Sequence, residues 1–345
     1  MELYVFGEDR SLLGVIEAYE HLQWTRRYSA CGGFALRAIA DAHNIGMLRM
    51  GHILWKNDDA EAGIIDHIEL NAQEQEYITV AGRFATGLLA RRIIWQTEML
   101  QGNLANAIAQ LLANHVIAPS NPDRAILGMA FASTPLNHTL TMQVSYRNLL
   151  TTIEDLCAAY DVGLRTTFDP VTRLLTVTLY DGRLTSAVFS REFENLTEQA
   201  YTHSARGYAC VALIGGEGEG ELRTMVTSGT GSGLGRYEVF VDAKALRSED
   251  FGEGYPAALI QHGDIRLKEL RMARSFDATL HNQGNLRYRE DFDLGDIVTA
   301  VSPRWGVSMQ TRITEIEETY DAEGRHIDIV LGRGALTIAQ KLKGV

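Results

Sequence analysis

The chain has few of the residues around which small chemical sites are built. Its 345 residues include only three cysteines, Cys31, Cys157 and Cys210. They lie far apart, are odd in number and form no C-x-x-C, which argues against a disulfide framework or a zinc knuckle. Reduced, buried thiols are the expectation. No apolar run reaches the roughly 18 residues of a membrane-spanning helix, so no stable membrane insertion is expected. The start, Met1 to Gly14, has neither the basic flank nor the apolar core of a secretory signal, which predicts synthesis and folding in the cytoplasm. Positive charge is also short: the net charge is −12 and the isoelectric point is near 5.3. That balance argues against holding nucleic acid through its phosphates. It would suit a pore wall that DNA passes without sticking.

Catalytic signatures are equally scarce. Two glycine-rich loops, Gly215–Gly220 and Ser228–Gly235, lack the lysine of a phosphate-binding loop, and Glu217 and Glu219 would repel phosphate. Neither completes a dinucleotide fingerprint: Gly218 and Gly220 are followed by Arg223, and Gly231 and Gly233 by Arg236. Glycine's backbone freedom in mobile connectors explains both loops. The ten histidines show no H-E-x-x-H or comparable metal spacing. No G-x-S-x-G occurs, and Gly231-Ser232-Gly233 lacks the strand-to-helix context of a nucleophile elbow. Glu315 and Glu317 stand two apart on a strand and share a face. This reads as a solvated or interface face rather than the paired acids of a glycosidase. The four tryptophans are dispersed and give little sign of a sugar platform. No catalytic, cofactor-binding or metal residue is expected, and no cofactor.

What is present is β-structure with inserted helices. Apolar content of 46% and charged content of 22% fit a globular chain of two to four lobes. Leu3–Phe6 and Leu12–Tyr19 flank a Gly7-Glu8-Asp9-Arg10 turn, and His52–Trp55 faces Ala62–Leu70 across the polar turn Lys56–Asp59. Helices are predicted over Phe84–Arg92, over Leu104–Val116 after Asn103, over Asn148–Tyr160, and over Ala257–Ala273. Leu164–Phe168 and Leu174–Leu179 read as a hairpin. The sequence DFDLGDIVTAVSPRWGVSMQTRITEIEETYDAEGRHIDIVLG, Asp291 to Gly332, is a three-strand meander: Ile297–Val301, Val307–Glu317 and His326–Leu331. The fold class is α+β, β-rich. The lobes are 1–100, 101–200, 201–282 and 283–345.

The words DFDLGDIV, WGV and RITEIEE in that order resemble the C-terminal end of siphophage tail baseplate hub proteins, which are related to the N-terminal hub region of tail-associated lysins. Trp24-Thr25-Arg26-Arg27-Tyr28, Cys31–Leu36, Ala62–Asp66, Ile78–Arg83 and Gly87–Ile94 agree. The resemblance implies two tail-tube-type β-barrel domains formed by the N- and C-terminal parts, with α+β lobes inserted between them. It implies a non-enzymatic virion protein of the phage or prophage tail tip, acting as a homotrimer. The trimer would join a sixfold tail tube to a threefold tip and leave a channel for DNA. Implied partners are the tail tube protein, the distal tail protein, the tape measure protein and a central fibre or spike. Within the matched words, Trp24, Arg26, Arg27, Arg83, Arg91, Arg92, Asp293, Asp296 and Trp305 are the candidate interface residues. Arginine suits acidic partners through its planar, bidentate donors. Ordinary surface ion pairs are the competing account of these residues. The competing functions are a tail-associated peptidoglycan-degrading enzyme and a host-glycan receptor-binding module.

Overall fold

Strands that alternate apolar and polar residues need a sheet with one buried face, and most strands of this chain share one. In the computed structural model, which describes residues 1–72, 75–281 and 284–333, thirteen strands form a single large sheet. Its order runs Leu196–Ser204, Ala273–Leu280, Gly324–Arg333, Val307–Asp321, His21–Arg27, Gly33–Ile39, Glu76–Phe84, Ala62–Ala72, Ile53–Lys56, Leu3–Phe6 and Leu12–Ile16. Ile297–Ser302 pairs with the first half of Val307–Asp321 and carries Leu184–Phe189 in parallel.

The long strand Val307–Asp321 is the hinge of this layout. Its second half pairs antiparallel with His21–Arg27, from Glu315 opposite Arg27 to Tyr320 opposite Leu22. The two β-rich ends of the chain are thereby one hydrogen-bonded surface. A register shift between Ile313 and Glu315 marks a bulge, the device by which a strand bends from one set of partners to another. Below the sheet lie two apolar cores. Leu22, Trp24, Leu36, Val80 and Phe84 belong to the first, and Phe189, Phe276, Phe292, Ile316 and Leu331 to the second. A third, smaller core forms around Ile214, Tyr255 and Leu259.

The inserted elements follow their caps. The Asn103 side chain accepts from the Ala105 amide and starts Leu104–Leu112. The helix expected to run to Val116 widens into a π-turn over Ala113–Ile117. Asn148 caps Leu149–Tyr160, which Asp161 ends in the left-handed conformation at φ 56°. The predicted helix near Phe84–Arg92 is a 3-10 segment, Ala85–Arg91. The predicted hairpin is present as Gly163–Phe168 and Leu175–Tyr180, joined by an unexpected parallel strand, Met129–Ser133.

The helix expected over Ala257–Ala273 is Tyr255–Glu269. Ala273 instead opens the strand Ala273–Leu280, because Phe276, Ala278 and Leu280 at two-residue spacing bury on the sheet. The polar turn Lys56–Asp59 holds a fully buried Lys56 and a buried Asp59. Among the described residues no helix is long and apolar enough to cross a membrane.

Candidate functional site

Charged side chains occupy several inward positions where the two ends of the sheet meet. On His21–Arg27 the inward side chains are Leu22, Trp24 and Arg26, and on Val307–Asp321 they include Ile316 and Glu318. Arg26 Nη1 donates to Asp293 Oδ1 at 2.8 Å and to the Tyr288 hydroxyl at 2.8 Å. Its Nε lies 3.6 Å from both Asp59 and Glu61. Trp24 Nε1 donates to Asp59 at 3.1 Å. Alongside, Lys56 Nζ lies 3.0 Å from each carboxylate oxygen of Glu318. Glu318 also accepts from Tyr320 at 2.6 Å, Arg325 at 2.8 Å and Arg289 at 3.2 Å. Arg289, held at φ 72°, reaches Asp59 at 2.9 Å as well.

Environment separates the two glutamates. Burial works against the Glu318 charge, but Lys56, the Tyr320 hydroxyl, Arg289 and Arg325 outweigh it and hold the carboxyl at about 2. Burial pushes Glu61 up to about 8; Arg26 offsets this only in part and Asp59 adds to it. Burial likewise opposes the Arg26 charge, but Asp59, Tyr288, Asp293 and Glu61 together drive its pKa well above the ordinary value. Such a network has a structural consequence. A one-residue slip of the joining strands would leave a buried charge unpaired, at a cost of several kcal/mol. The charges therefore fix how the two halves of the chain register.

The residues singled out from sequence divide into two groups. Trp24, Arg26 and Asp296 are buried within the chain, so any part they play in an interface is indirect. Asp293 partners Arg26 there, and Asp296 binds Arg183 at 3.0 Å. The second group faces outward. Arg27 pairs with Glu315 at 2.6 Å, Arg83 approaches Asp66 at 3.7 Å, and Arg91 and Trp305 are exposed while Arg92 is half-buried. Lys56, Asp59, Glu61, Tyr288, Arg289 and Glu318 were not singled out. For Lys56 and Glu318 the one signal is a charge at a strand position where alternation calls for an apolar side chain, two places after Leu54 and Ile316; Asp59, Glu61, Tyr288 and Arg289 lie outside the strands and carry no such signal.

The outer face of the large sheet is polar and uncovered. Across neighbouring strands it presents Glu198, Asp277, Asp328, Glu315, Glu317, Arg27, Arg37, Thr79, Arg83 and Glu69. Its arginines are partnered: Arg27 by Glu315, Arg37 by Glu20 at 3.4 Å, and Arg83 by Asp66. Glu317 accepts from the Thr25 hydroxyl at 2.8 Å, and Asp328 accepts from the Thr279 hydroxyl at 2.5 Å. The face is thus left with an excess of carboxylates. Cys31 and Cys157 are buried free thiols and Cys210 is half-buried. Among the described residues no three His, Cys, Asp or Glu side chains gather as a metal site.

Comparison with known proteins gives this arrangement a context. A family model described as Siphovirus ReqiPepy6 Gp37-like protein matches residues 2–333. No curated protein matches the chain. Among solved structures, the prophage MuSo2 43 kDa tail protein from Shewanella oneidensis superposes at TM-score 0.62 with 15% identity, over 96% of this chain and 98% of its own. Prophage tail protein gp18 from Listeria monocytogenes superposes at 0.63 with 12% identity, over 100% and 99%. A tail protein from Neisseria meningitidis superposes at 0.59 with 13% identity, over 96% of each chain. At these identities the likeness is one of fold.

Proposed function

Since the chain belongs to the Siphovirus ReqiPepy6 Gp37-like protein family, we propose that it is a structural component of a phage or prophage tail, the baseplate hub. It would act as a homotrimer that joins the sixfold tail tube to the threefold tip and leaves a channel for DNA. One observation carries this reading: the run of strands from Leu196–Ser204 through Val307–Asp321 and His21–Arg27 to Ala62–Ala72. It is contributed by both ends of the chain, apolar below and polar above. Its N- and C-terminal halves would be the two tube-type barrel domains, with the lobes between them facing outward. A closed ring leaves no strand edge exposed, which is the usual reason sheets close.

Geometry supports the size. The run has eight strands. Three such runs side by side, at about 4.8 Å per strand, have a circumference of roughly 115 Å and an opening of roughly 35 Å between backbones. A duplex fits such an opening. The carboxylate-rich face turned inward would repel phosphate and let DNA pass without specific binding. The tail tube protein, distal tail protein, tape measure protein and central fibre or spike are the proposed neighbours, and the assembled virion the proposed location. The exposed Arg91 and Trp305 and the half-buried Arg92 are the candidates best placed to meet them. The work is mechanical, without a catalytic step.

Cryo-electron microscopy of the purified chain at high concentration, with its mass measured alongside, tests the reading. Threefold rings with a central opening, at a mass near three chains, are the expected result. Twofold dimers enclosing a cleft would overturn it.

A further inference from the structure

A second surface lies away from the charged junction, where the chain leaves the first lobe. Residues 92–95 run extended against 146–148: the Ile94 amide donates to Arg147 O and the Tyr146 amide to Ile94 O, each at 2.9 Å. Ile94 is buried, whereas its neighbours Ile93 and Trp95 are 46% and 55% exposed and Tyr146 is 72% exposed. Tyr146 is held at φ 53°, a conformation that costs a bulky side chain energy. The Arg124 guanidinium lies 4.2 Å from the Trp95 ring centre and donates to Ile93 O at 2.6 Å. Arg92 Nε donates to Arg124 O at 2.7 Å.

The charges here are not neutralised from within. Within the chain Arg92 Nε and Nη1 and Arg124 Nη2 donate to backbone carbonyls, with His115 Nδ1 a further partner of Arg124 Nη2, and Arg91 is exposed. Among the described residues no carboxylate reaches any of the three at ion-pair distance. Arg147 does have one, Asp155 at 2.7 Å. Three uncompensated guanidiniums, a tryptophan, a tyrosine and an isoleucine therefore share one exposed patch on a chain of net charge −12. Tryptophan, tyrosine and arginine are the residues that anchor protein interfaces. Arg124 is already fixed by its carbonyl and ring contacts, so little side-chain freedom remains to be lost on binding.

We propose that this patch docks an acidic protein partner of the tail, whose carboxylates meet Arg91, Arg92 and Arg124 and whose apolar side chain seats beside Trp95. A protein is favoured over nucleic acid because the chain as a whole repels phosphate. A carboxylate presents the flat, two-oxygen edge that guanidinium matches. The proposal rests on the tail-component reading.

Photo-cross-linking within assembled tails tests it. Benzoylphenylalanine is placed at Tyr146 in one chain, at Ile93 in a second, and at the distant, exposed Leu222 as control. Irradiation is expected to join position 146 or 93, and not 222, to an Asp- and Glu-rich segment of a different tail protein. R91E is expected to lower incorporation into tails about tenfold or more, with thermal unfolding unchanged. A cross-link to a second copy, to DNA or to a segment without net negative charge overturns the proposal, as does none at all from either position. Absence of the wild-type chain from tails would instead overturn the tail reading itself.

Discussion

Lys56 and Glu318, 262 positions apart in the chain, form a fully buried ion pair with the ammonium 3.0 Å from each carboxylate oxygen. One sits at the edge of a short N-terminal strand, the other in the long C-terminal one. Each charge needs partners to sit in an apolar interior: Lys56 also meets Asp58 at 2.9 Å, and Glu318 also meets Arg289 and Arg325. Folding of the first β-rich end is thus tied to arrival of the second.

Breaking the pair from one side should cost more than removing it. Glu318→Ala leaves Lys56 buried and is expected to destabilise the chain by about 3–5 kcal/mol. Lys56→Met with Glu318→Leu should recover part of that loss and not all of it, because Arg289 and Arg325 still lose Glu318. Denaturant unfolding of the three chains measures both, and equal losses in the single and double variants would contradict the account.

Glu61 and Glu318 should give stability opposite pH dependences. Glu61 keeps its proton up to about 8 when folded but only to about 4.5 when unfolded. The native state therefore binds more protons in that window, and stability falls as pH rises from about 4.5 to 8. Glu318, held at about 2, contributes stability above about 4.5 that is lost as pH falls toward 2. Glu61→Gln should flatten the upper limb while leaving the acid limb in place. Melting temperature against pH for both chains reads this out.

Trp24 should be among the costliest single truncations. Its ring is fully buried, lies with its centre 4.6 Å from that of Phe84 at a 41° tilt and donates to Asp59. Trp24→Ala is expected to cost about 3–5 kcal/mol from the cavity, with a further loss because Asp59 keeps its burial and loses a donor. Chemical denaturation checks the sum.

Gly82 should tolerate no side chain. A Cβ there would lie 1.8 Å from Ile64 O and 3.1 Å from Phe34, so the strands Ala62–Ala72 and Glu76–Phe84 would have to part. Gly82→Val is expected to cost about 1–3 kcal/mol or more. Hydrogen exchange should show lost protection concentrated in these two strands.

Much of the fold was legible because its signals are local. The cap Asn103 and the amphipathic pattern of Asn148–Tyr160 placed two helices, and the alternation of Ile297–Val301, Val307–Glu317 and His326–Leu331 placed the meander. The misses were elements whose partners are remote. The strand Ala273–Leu280 is not legible in the sequence, where only Ala273 falls at the end of the expected helix, since its apolar spacing acquires meaning only against Gly324–Arg333. The polar turn Lys56–Asp59 gives no sign that Lys56 and Asp59 are buried, because Glu318, Arg26 and Arg289, which surround them, are remote in sequence.

The candidate residues split along the same line. Arg91 and Trp305 are exposed and Arg92 is partly so, but Trp24, Arg26 and Asp296 were drawn inward. Composition and pattern alone determined that this is an acidic, β-rich α+β chain whose two ends resemble each other in kind. Residue types carry propensity and period, and those are properties of a single segment. Only the tertiary structure decided that the two ends make one sheet, and that Arg26, Asp59, Glu61, Asp293, Lys56 and Glu318 meet beneath it. The stability of a buried charge depends on what stands within a few ångströms, and no spacing along the sequence records that distance.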